Sequence, residues 1–309
     1  MVTARKVSFQ EAWDSSTVFY VDNELEDEID REVERLLALA DDEVVSGIAE
    51  VNARSLSTFL AKDPLALDVI LREIELSQEK FMRIISLLRK LEFVPGGFES
   101  EWHFSKIANK VVQENDFALL VANLLVDGKR DRGLAAYIPR YYLETLNYRE
   151  IRGGSREARR VRYKRSLIGT YSGRKGYKVE GLIKQRLVEI GVPFEKGRSR
   201  MTETDMDFAI PSLDDPWIVI MSTFQETTSS GQSTKTRDML AVFERVNRVN
   251  NRYGENRAFV NFVDGGGWLA RKRDMERLVE NCHYFVNINL LGLLDGIVQE
   301  HLPKAKLKL

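Results

Sequence analysis

The sequence predicts an α/β protein in which an α-helical N-terminal region precedes a mixed sheet flanked by helices. Two observations carry this prediction. The second half of the chain alternates apolar β-branched runs with amphipathic stretches, the pattern of strands separated by helices. The first half repeats apolar residues at helical spacing, as at Phe81, Ile84, Ile85, Leu88 and Leu91. We therefore expect a helical region over residues 1–150 and an α/β domain over residues 151–309.

The N-terminal half carries recognisable helix boundaries. Asp63 followed by Pro64 is typical of a helix start, because an aspartate side chain accepts from free backbone N–H groups and proline fits the first turn. The stretch Phe93–Gly97 contains a proline and two glycines, which indicates the end of a preceding helix. We expect helices over residues 24–39, 65–76, 81–91, 104–113 and 116–125.

Glycine, serine and arginine dominate the segment between the two predicted regions. Residues 152–155 are predicted to be a flexible linker, and Tyr171–Gly176 a second hinge. Beyond it we expect a helix that ends at Gly191, strands around Asp207 and Ile220, a helix over residues 234–253, a strand over 258–263, a helix over 271–281 and a strand over 284–288.

Composition excludes several classes of protein. No apolar run approaches the ~20 residues that span a bilayer, and the N-terminus lacks a basic-then-apolar signal pattern. We therefore expect a cytoplasmic protein without membrane contact. The single cysteine, Cys282, excludes an internal disulfide and a cysteine-rich zinc site. Because the chain has only 3 histidines, we do not expect a histidine-based metal site.

The net charge of −1 conceals a strong segregation of charge. Residues 21–50 include 12 acidic and 2 basic residues, whereas residues 151–178 include 10 basic residues against Glu157 alone. A basic face of this kind is suited to bind a polyanion, because bulk neutrality then coexists with a local positive field. The alternative is that both runs are ordinary solvated surfaces.

A carboxylate in one strand of a predicted hairpin is the strongest chemical signal. Asp207 lies in the run Asp205–Pro211, which a turn joins to the apolar run Trp217–Gln225. Carboxylate oxygens suit a hard divalent cation such as Mg²⁺, which keeps several waters and needs only one or two protein carboxylates. The alternative is a turn aspartate that caps the loop before the proline.

The order helix–strand–strand–helix resembles the PD-(D/E)xK nuclease superfamily, with Glu180 in the helix, Asp207 in the hairpin and Thr227–Gln232 as a polar loop. Within this superfamily the chain looks most like type II restriction endonucleases. Lys235 behind the polar loop and Asp264–Trp268 after an apolar strand are also similar to features of these enzymes. The likeness covers roughly residues 174–291.

The resemblance implies a Mg²⁺-dependent restriction endonuclease that cuts double-stranded DNA at a short specific sequence. It implies that Asp207 holds the metal and that Glu180 completes or supports the metal site. A homodimer is expected as well, since a two-fold protein matches a palindromic site. The helical region would then supply dimer contacts, DNA contacts or both.

One departure from the family pattern affects the second strand of the hairpin. The family places an acid and, two residues on, a lysine where this chain has Met221 and Thr223. Alternate strand residues share a face, so Met221, Thr223 and Gln225 are predicted to point together toward the catalytic aspartate. Three explanations stay open. The chain is an inactivated variant, or a nuclease fold that only binds DNA, or its acid has moved to Glu226, Glu203 or Asp205 with Lys235 or Gln225 replacing the lysine.

Two groups of residues are predicted to contact the DNA backbone. The first belongs to the arginine-rich run and comprises Arg159, Arg160, Arg162 and Lys164. The second lies where a loop becomes a helix, because free N–H groups and the helix dipole favour a phosphate there. It comprises Thr228, Ser229, Ser230, Gln232 and Lys235. The alternatives are an ordinary helix cap at the loop and a helical interaction protein whose basic run is only surface.

Overall fold

The chain forms two compact units in the computed structural model, which describes residues 3–151 and 153–306 except for the side chains of residues 168–170 and 172. One unit comprises the chain up to Val21 and from Thr170 onward, and the other comprises Asp22–Gly169. This division differs from the predicted boundary at residue 150. The first residues of the chain belong to the C-terminal unit, and the second boundary falls inside a continuous helix.

The helical unit contains the helices that the sequence predicts in the N-terminal half. Asp63 begins one of them as expected, since its Oδ1 accepts the N–H of Leu65 at 2.7 Å. The predicted helices over residues 24–39, 65–76, 81–91, 104–113 and 116–125 are confirmed. The α-helices described up to Ile151 are α1 (Phe9–Asp14), α2 (Asn23–Ala40), α3 (Glu43–Ser46), α4 (Ala53–Leu60), α5 (Pro64–Glu73), α6 (Gln78–Lys90), α7 (Phe104–Gln113), α8 (Asn115–Asp127), α9 (Arg140–Leu143) and α10 (Tyr148–Ile151).

Helix α11 (Arg156–Ile190) runs without interruption through the segment in which a hinge is predicted. The hinge prediction over Tyr171–Gly176 is therefore wrong. Glycine costs about 1 kcal/mol relative to alanine in a helix interior, but an apolar stripe along α11 is buried and offsets that cost. The buried residues of this stripe include Tyr163, Leu167, Tyr171, Val179, Ile183 and Leu187.

The second unit is built on a five-stranded mixed sheet in the order β1-β2-β3-β4-β5. The first three strands pair antiparallel, and β4 and β5 continue the sheet in parallel. This confirms the predicted α/β class with a mixed sheet flanked by helices. The strands are β1 (Glu195–Ser199), β2 (Thr204–Ile210), β3 (Ile218–Phe224), β4 (Ala258–Asp264) and β5 (Tyr284–Val286).

Helices separate the parallel strands, as the alternating pattern predicts. Strands β3 and β4 are almost wholly buried, which is expected of parallel strands covered on both faces. The remaining helices are α12 (Gly231–Tyr253), α13 (Gly266–Leu269), α14 (Lys272–Glu280) and α15 (Leu293–His301).

The register of the β2–β3 hairpin decides which residues meet across the strands. Phe208 pairs with Ile220, and Ala209 pairs with Val219. The pairing of the two strands runs from Ile210 and Ile218 to Phe208 and Ile220, and it does not include Asp207 or Met221. That Met221 faces Asp207 stays a prediction. Met221 is buried in the hydrophobic core of the unit.

No helix in the described part of the chain combines the length and the apolar character needed to cross a bilayer.

Candidate functional site

Asp207 lies at the centre of a cluster of charged side chains in the α/β unit. Its side chain is 17% exposed. The Oδ2 atom accepts the backbone N–H of Ser222 on the neighbouring strand at 2.7 Å. This bond orients the carboxylate, because a fixed backbone donor leaves it little rotational freedom.

Lys196 connects Asp207 to the second predicted acid, Glu180. The Lys196 ammonium donates to Glu180 Oε2 at 2.6 Å and lies 3.7 Å from Asp207 Oδ1. The hydrogen bond to Glu180, followed by the negative charges of both carboxylates, raises the pKa of Lys196 above its ordinary value. The ammonium is therefore charged throughout the neutral pH range.

A second ammonium reaches the same aspartate from helix α12. Lys235 Nζ lies 3.8 Å from Asp207 Oδ2. The cluster thus brings together two carboxylates and two lysines from a helix, two strands and a second helix. The two negative and two positive charges of the cluster balance. Among the ion pairs of the described residues, neither lysine has a further acidic partner.

A cavity of about 310 Å³ adjoins this cluster. It is bounded by the second half of α11, the end of β3 and the start of α12, all of which belong to one unit. The predicted site residues that line it are Glu180, Thr223, Gln225, Ser229, Gln232 and Lys235. Asp207, Met221, Thr228 and Ser230 do not line it: Asp207 contacts Lys235 of the lining, Met221 packs in the core, and the other two are exposed.

The oxygen donors around this cavity fit a hard divalent cation. Asp207 and Glu180 supply carboxylates, and Thr223 and Gln225 supply neutral oxygens nearby. No group of three or more acidic, histidine or cysteine side chains suited to a metal exists in the described residues. Two carboxylates nevertheless satisfy Mg²⁺, which retains much of its water. Binding of the cation there has to displace the hydrogen bond between Lys196 and Glu180.

The three acids proposed as replacements for the missing one lie away from the cavity. Glu226 Oε1 accepts from Lys175 Nζ at 2.7 Å and from the backbone N–H of Tyr20 at 3.2 Å. Glu203 pairs with Arg245 at 3.4 Å. Asp205 is exposed beside Arg198 in the β1–β2 register. None of the three acids lines the cavity.

A glycine-rich loop holds the strand end that carries Gln225. Gly267 N–H donates to Gln225 O at 2.8 Å, and Gln225 N–H donates to Asp264 O at 3.0 Å. A Cβ on Gly265 would lie 2.2 Å from Gln225 O, and one on Gly267 would lie 2.5 Å from Thr227 O. Only glycine permits this approach. Gly266–Leu269 form the short helix α13, which buries Trp268 in the core.

The arginine-rich run does not form the open cationic surface that the sequence suggests. Arg159 is only 5% exposed. Its Nη2 donates to Val45 O at 2.7 Å, and its Nε lies 3.3 Å from Glu73 Oε1. The prediction that Arg159 contacts DNA is therefore corrected, because the side chain belongs to the interior of the helical unit.

The other predicted cations of this run have carboxylate partners in the same unit. Arg162 Nη1 lies 3.2 Å from Glu73 Oε2, and Lys164 Nζ lies 2.6 Å from Asp30 Oδ1. Arg160 pairs with Glu34. The acidic and basic runs of the sequence thus neutralise each other in part, since α2 supplies the acids and the start of α11 supplies the cations.

Lys196 is the functional candidate that sequence reasoning misses. It lies in β1, an edge strand that reads Glu-Lys-Gly-Arg-Ser and lacks the apolar alternation by which strands are predicted. The only signal for it is its place before a strand that carries Asp207.

Comparison of the chain with protein-family models, with curated proteins and with solved structures finds no match.

Proposed function

We propose that the α/β unit is a Mg²⁺-dependent nuclease domain that hydrolyses phosphodiester bonds in double-stranded DNA, in the manner of the type II restriction endonucleases it resembles. The observation that carries this proposal is the convergence of Glu180, Lys196, Asp207 and Lys235 beside one cavity. Acids that hold a divalent cation and ammonium groups that offset phosphate charge both assist hydrolysis of a phosphodiester.

The acids and the lysines take separate roles in this proposal. Asp207 and Glu180 would hold the cation, with Asp207 oriented by Ser222 N–H. A bound Mg²⁺ lowers the pKa of its water and offsets charge on the scissile phosphate. Lys196 and Lys235 would stabilise the negative charge that develops on the phosphate oxygens in the transition state. Lysine from β1 or α12 would thus replace the lysine that the family carries in the second strand.

A DNA-binding protein without cleavage activity is the second candidate. Met221 favours it, because it stands where the family carries an acid, and a buried thioether cannot replace a hard oxygen ligand there. The ion pair between Lys196 and Glu180 favours it too, since it occupies one of the two acids. Both candidates predict DNA binding, and only the first predicts Asp207-dependent hydrolysis.

Cleavage assays on duplex DNA of mixed sequence with Mg²⁺ separate the two candidates. The nuclease proposal expects cleavage by the native chain and a loss of at least about 10²-fold in rate for Asp207→Asn. Asp205→Asn on the same strand is the matched control, because Asp205 is exposed, whereas Asp207 contacts Lys196 and Lys235. Binding without cleavage under all conditions with Mg²⁺ or Mn²⁺ would favour the second candidate.

A homodimer with two such sites on opposite strands is part of the nuclease proposal. Light scattering of the protein alone and with a duplex gives the subunit number directly. Two chains per duplex are expected, and one chain per duplex would contradict a concerted two-strand cut.

A further inference from the structure

The start of helix α12 forms one wall of the cavity beside Asp207. Gly231, Gln232 and Lys235 of its first turns line the cavity, together with Ser229 just before the helix. The helix is 23 residues long, so its N-terminal dipole is fully developed. Gln232 N–H donates to Ser229 O at 3.3 Å, whereas the other N–H groups of a first helical turn have no acceptor within the helix. This wall therefore presents donors and a positive partial charge.

Gln232 adds an independent observation that points to a ligand. Its side chain is 1% exposed, and Oε1 accepts the backbone N–H of Ser229 at 3.0 Å. That bond sets the orientation of the amide, because only the oxygen can face an N–H donor. The buried Nε2 group is left without a partner among the described residues. An unsatisfied buried amide is costly, and such groups are rare in folded proteins.

The charges around the cavity specify what this amide and helix start can bind. Lys235 contributes an ammonium to the same wall and lies 3.8 Å from Asp207, whereas Glu180 contributes a carboxylate from the side of helix α11. An anion with several acceptor oxygens matches the donors of the α12 wall. A cation matches the opposite side. A phosphate group beside a divalent ion satisfies both at once.

We propose that the first turn of α12, with Gln232 Nε2 and Lys235 Nζ, is a phosphate-binding subsite that holds a phosphate group independently of the cation. The proposal rests on the proposed function in one respect, namely that the natural phosphate is a phosphodiester of DNA. Gln232 Nε2 donates to a phosphate oxygen, and Lys235 supplies the opposite charge. The subsite would thereby place the phosphate next to Asp207.

Titration with inorganic phosphate in EDTA tests the subsite without any metal or cleavage. Binding is measured by calorimetry and by ³¹P line broadening on native protein, Gln232→Glu and Gln113→Glu. Gln232→Glu keeps the acceptor for Ser229 N–H, removes the donor and adds a negative charge. We expect it to weaken phosphate binding by tenfold or more, roughly the effect of losing one charge-assisted hydrogen bond. Gln113→Glu makes the same change at an exposed position of the other unit and is expected to bind as the native protein does.

Two results would overturn the subsite: native protein that binds no phosphate at millimolar concentrations, or Gln232→Glu that binds it as well as native protein. If Gln232→Glu fails to fold by circular dichroism, Lys235→Gln takes its place, because Lys235 is partly exposed. A several-fold loss is then expected, and unchanged binding would refute the proposal.

A second titration uses DNA in place of inorganic phosphate. It tests whether the phosphate that binds the subsite belongs to DNA. A short duplex is titrated in EDTA with the same variants, and its cleavage by each variant is measured separately in Mg²⁺. If phosphate binding depends on Gln232 but duplex binding and cleavage are absent, the subsite stands, it serves a free phosphate ligand, and the nuclease proposal fails. If the duplex is cleaved while phosphate binding ignores Gln232, the nuclease proposal stands and the subsite fails.

Discussion

Lys196 donates a hydrogen bond to Glu180 across 2.6 Å, joining strand β1 to helix α11. The same ammonium lies 3.7 Å from Asp207. A positive group between two acids competes with any cation that the acids would bind. The Lys196 side chain therefore affects two properties of the site, namely its affinity for a metal ion and its stabilisation of the transition state.

Replacement of Lys196 by methionine is expected to change these two properties in opposite directions. Mg²⁺ or Mn²⁺ affinity, measured by calorimetry, should rise by about fivefold because a competing charge is removed in a partly exposed setting. Cleavage at saturating metal should fall by at least about tenfold if the ammonium stabilises the transition state.

Lys184→Met is the control for this change, since Lys184 is exposed on the same helix as Glu180. Metal affinity unchanged in Lys196→Met would contradict competition between the ammonium and the cation. Cleavage unchanged in the same variant would remove Lys196 from the chemistry and leave Lys235 as the candidate.

Arg159 is expected to matter for the stability of the helical unit. Arg159→Met leaves the buried carboxylate of Glu73 with one fewer charged partner and should lower the free energy of unfolding by about 3 kcal/mol. Denaturant titration followed by circular dichroism measures this. Arg165→Met, at an exposed position of the same helix, should cost less than about 0.5 kcal/mol. Equal effects of the two substitutions would show that the buried ion pair is energetically unimportant.

His283 makes the stability of the α/β unit depend on pH. Its Nδ1 accepts the N–H of Phe259 at 2.9 Å, and burial lowers the pKa of His283 to about 4. The folded state thus binds the proton less tightly than the unfolded state, so its contribution is complete above pH ~6.5 and is lost as the pH falls toward 4. The loss amounts to about 2–3 kcal/mol over this interval.

Urea titrations at pH 7, 5.5 and 4.5 measure this dependence. His283→Gln should flatten it, whereas His103→Gln should leave it as it is, because His103 is exposed. A native protein whose unfolding free energy stays constant between pH 7 and 4.5 would contradict the assignment.

Gly173 tests the continuity of helix α11. A Cβ at this position meets no atom within 4 Å. Gly173→Ala should therefore raise the free energy of unfolding by about 0.5–1 kcal/mol, as alanine does in a helix interior. A decrease in stability would favour the hinge that the sequence suggests over the continuous helix.

The sequence predicts most of the regular elements because their apolar residues repeat with clear periods. The strands around Asp207 and Ile220, and the helices of the N-terminal half, follow this rule. Strand β1 escapes it, since an edge strand of polar residues is held by backbone pairing rather than by a buried face. The continuity of helix α11 is not predicted either, because its glycines indicate a break. Packing of its apolar residues keeps the helix continuous.

The site is predictable only in part for a similar reason. Asp207, Glu180 and Lys235 lie on elements with recognisable patterns and do come together. Lys196 joins them from strand β1, whose polar sequence does not predict a strand. The arginine-rich run leads to a wrong prediction because the sequence does not show which residues its cations contact. In the structure they contact acids of α2 and α5.

The carboxylate of Asp264 accepts backbone N–H groups from Thr17, Gly265 and Ile288. Thr17 and Asp264 are 247 residues apart, and the whole helical unit lies between them in the chain. On the ribosome, the segment around Thr17 emerges early and has no partner until the last strands of the sheet have been made. The helical unit has all of its residues by Gly169, so it can fold first. Its folding then shortens the distance over which the early segment must find Asp264, because a compact insertion closes a much smaller loop than an unfolded one.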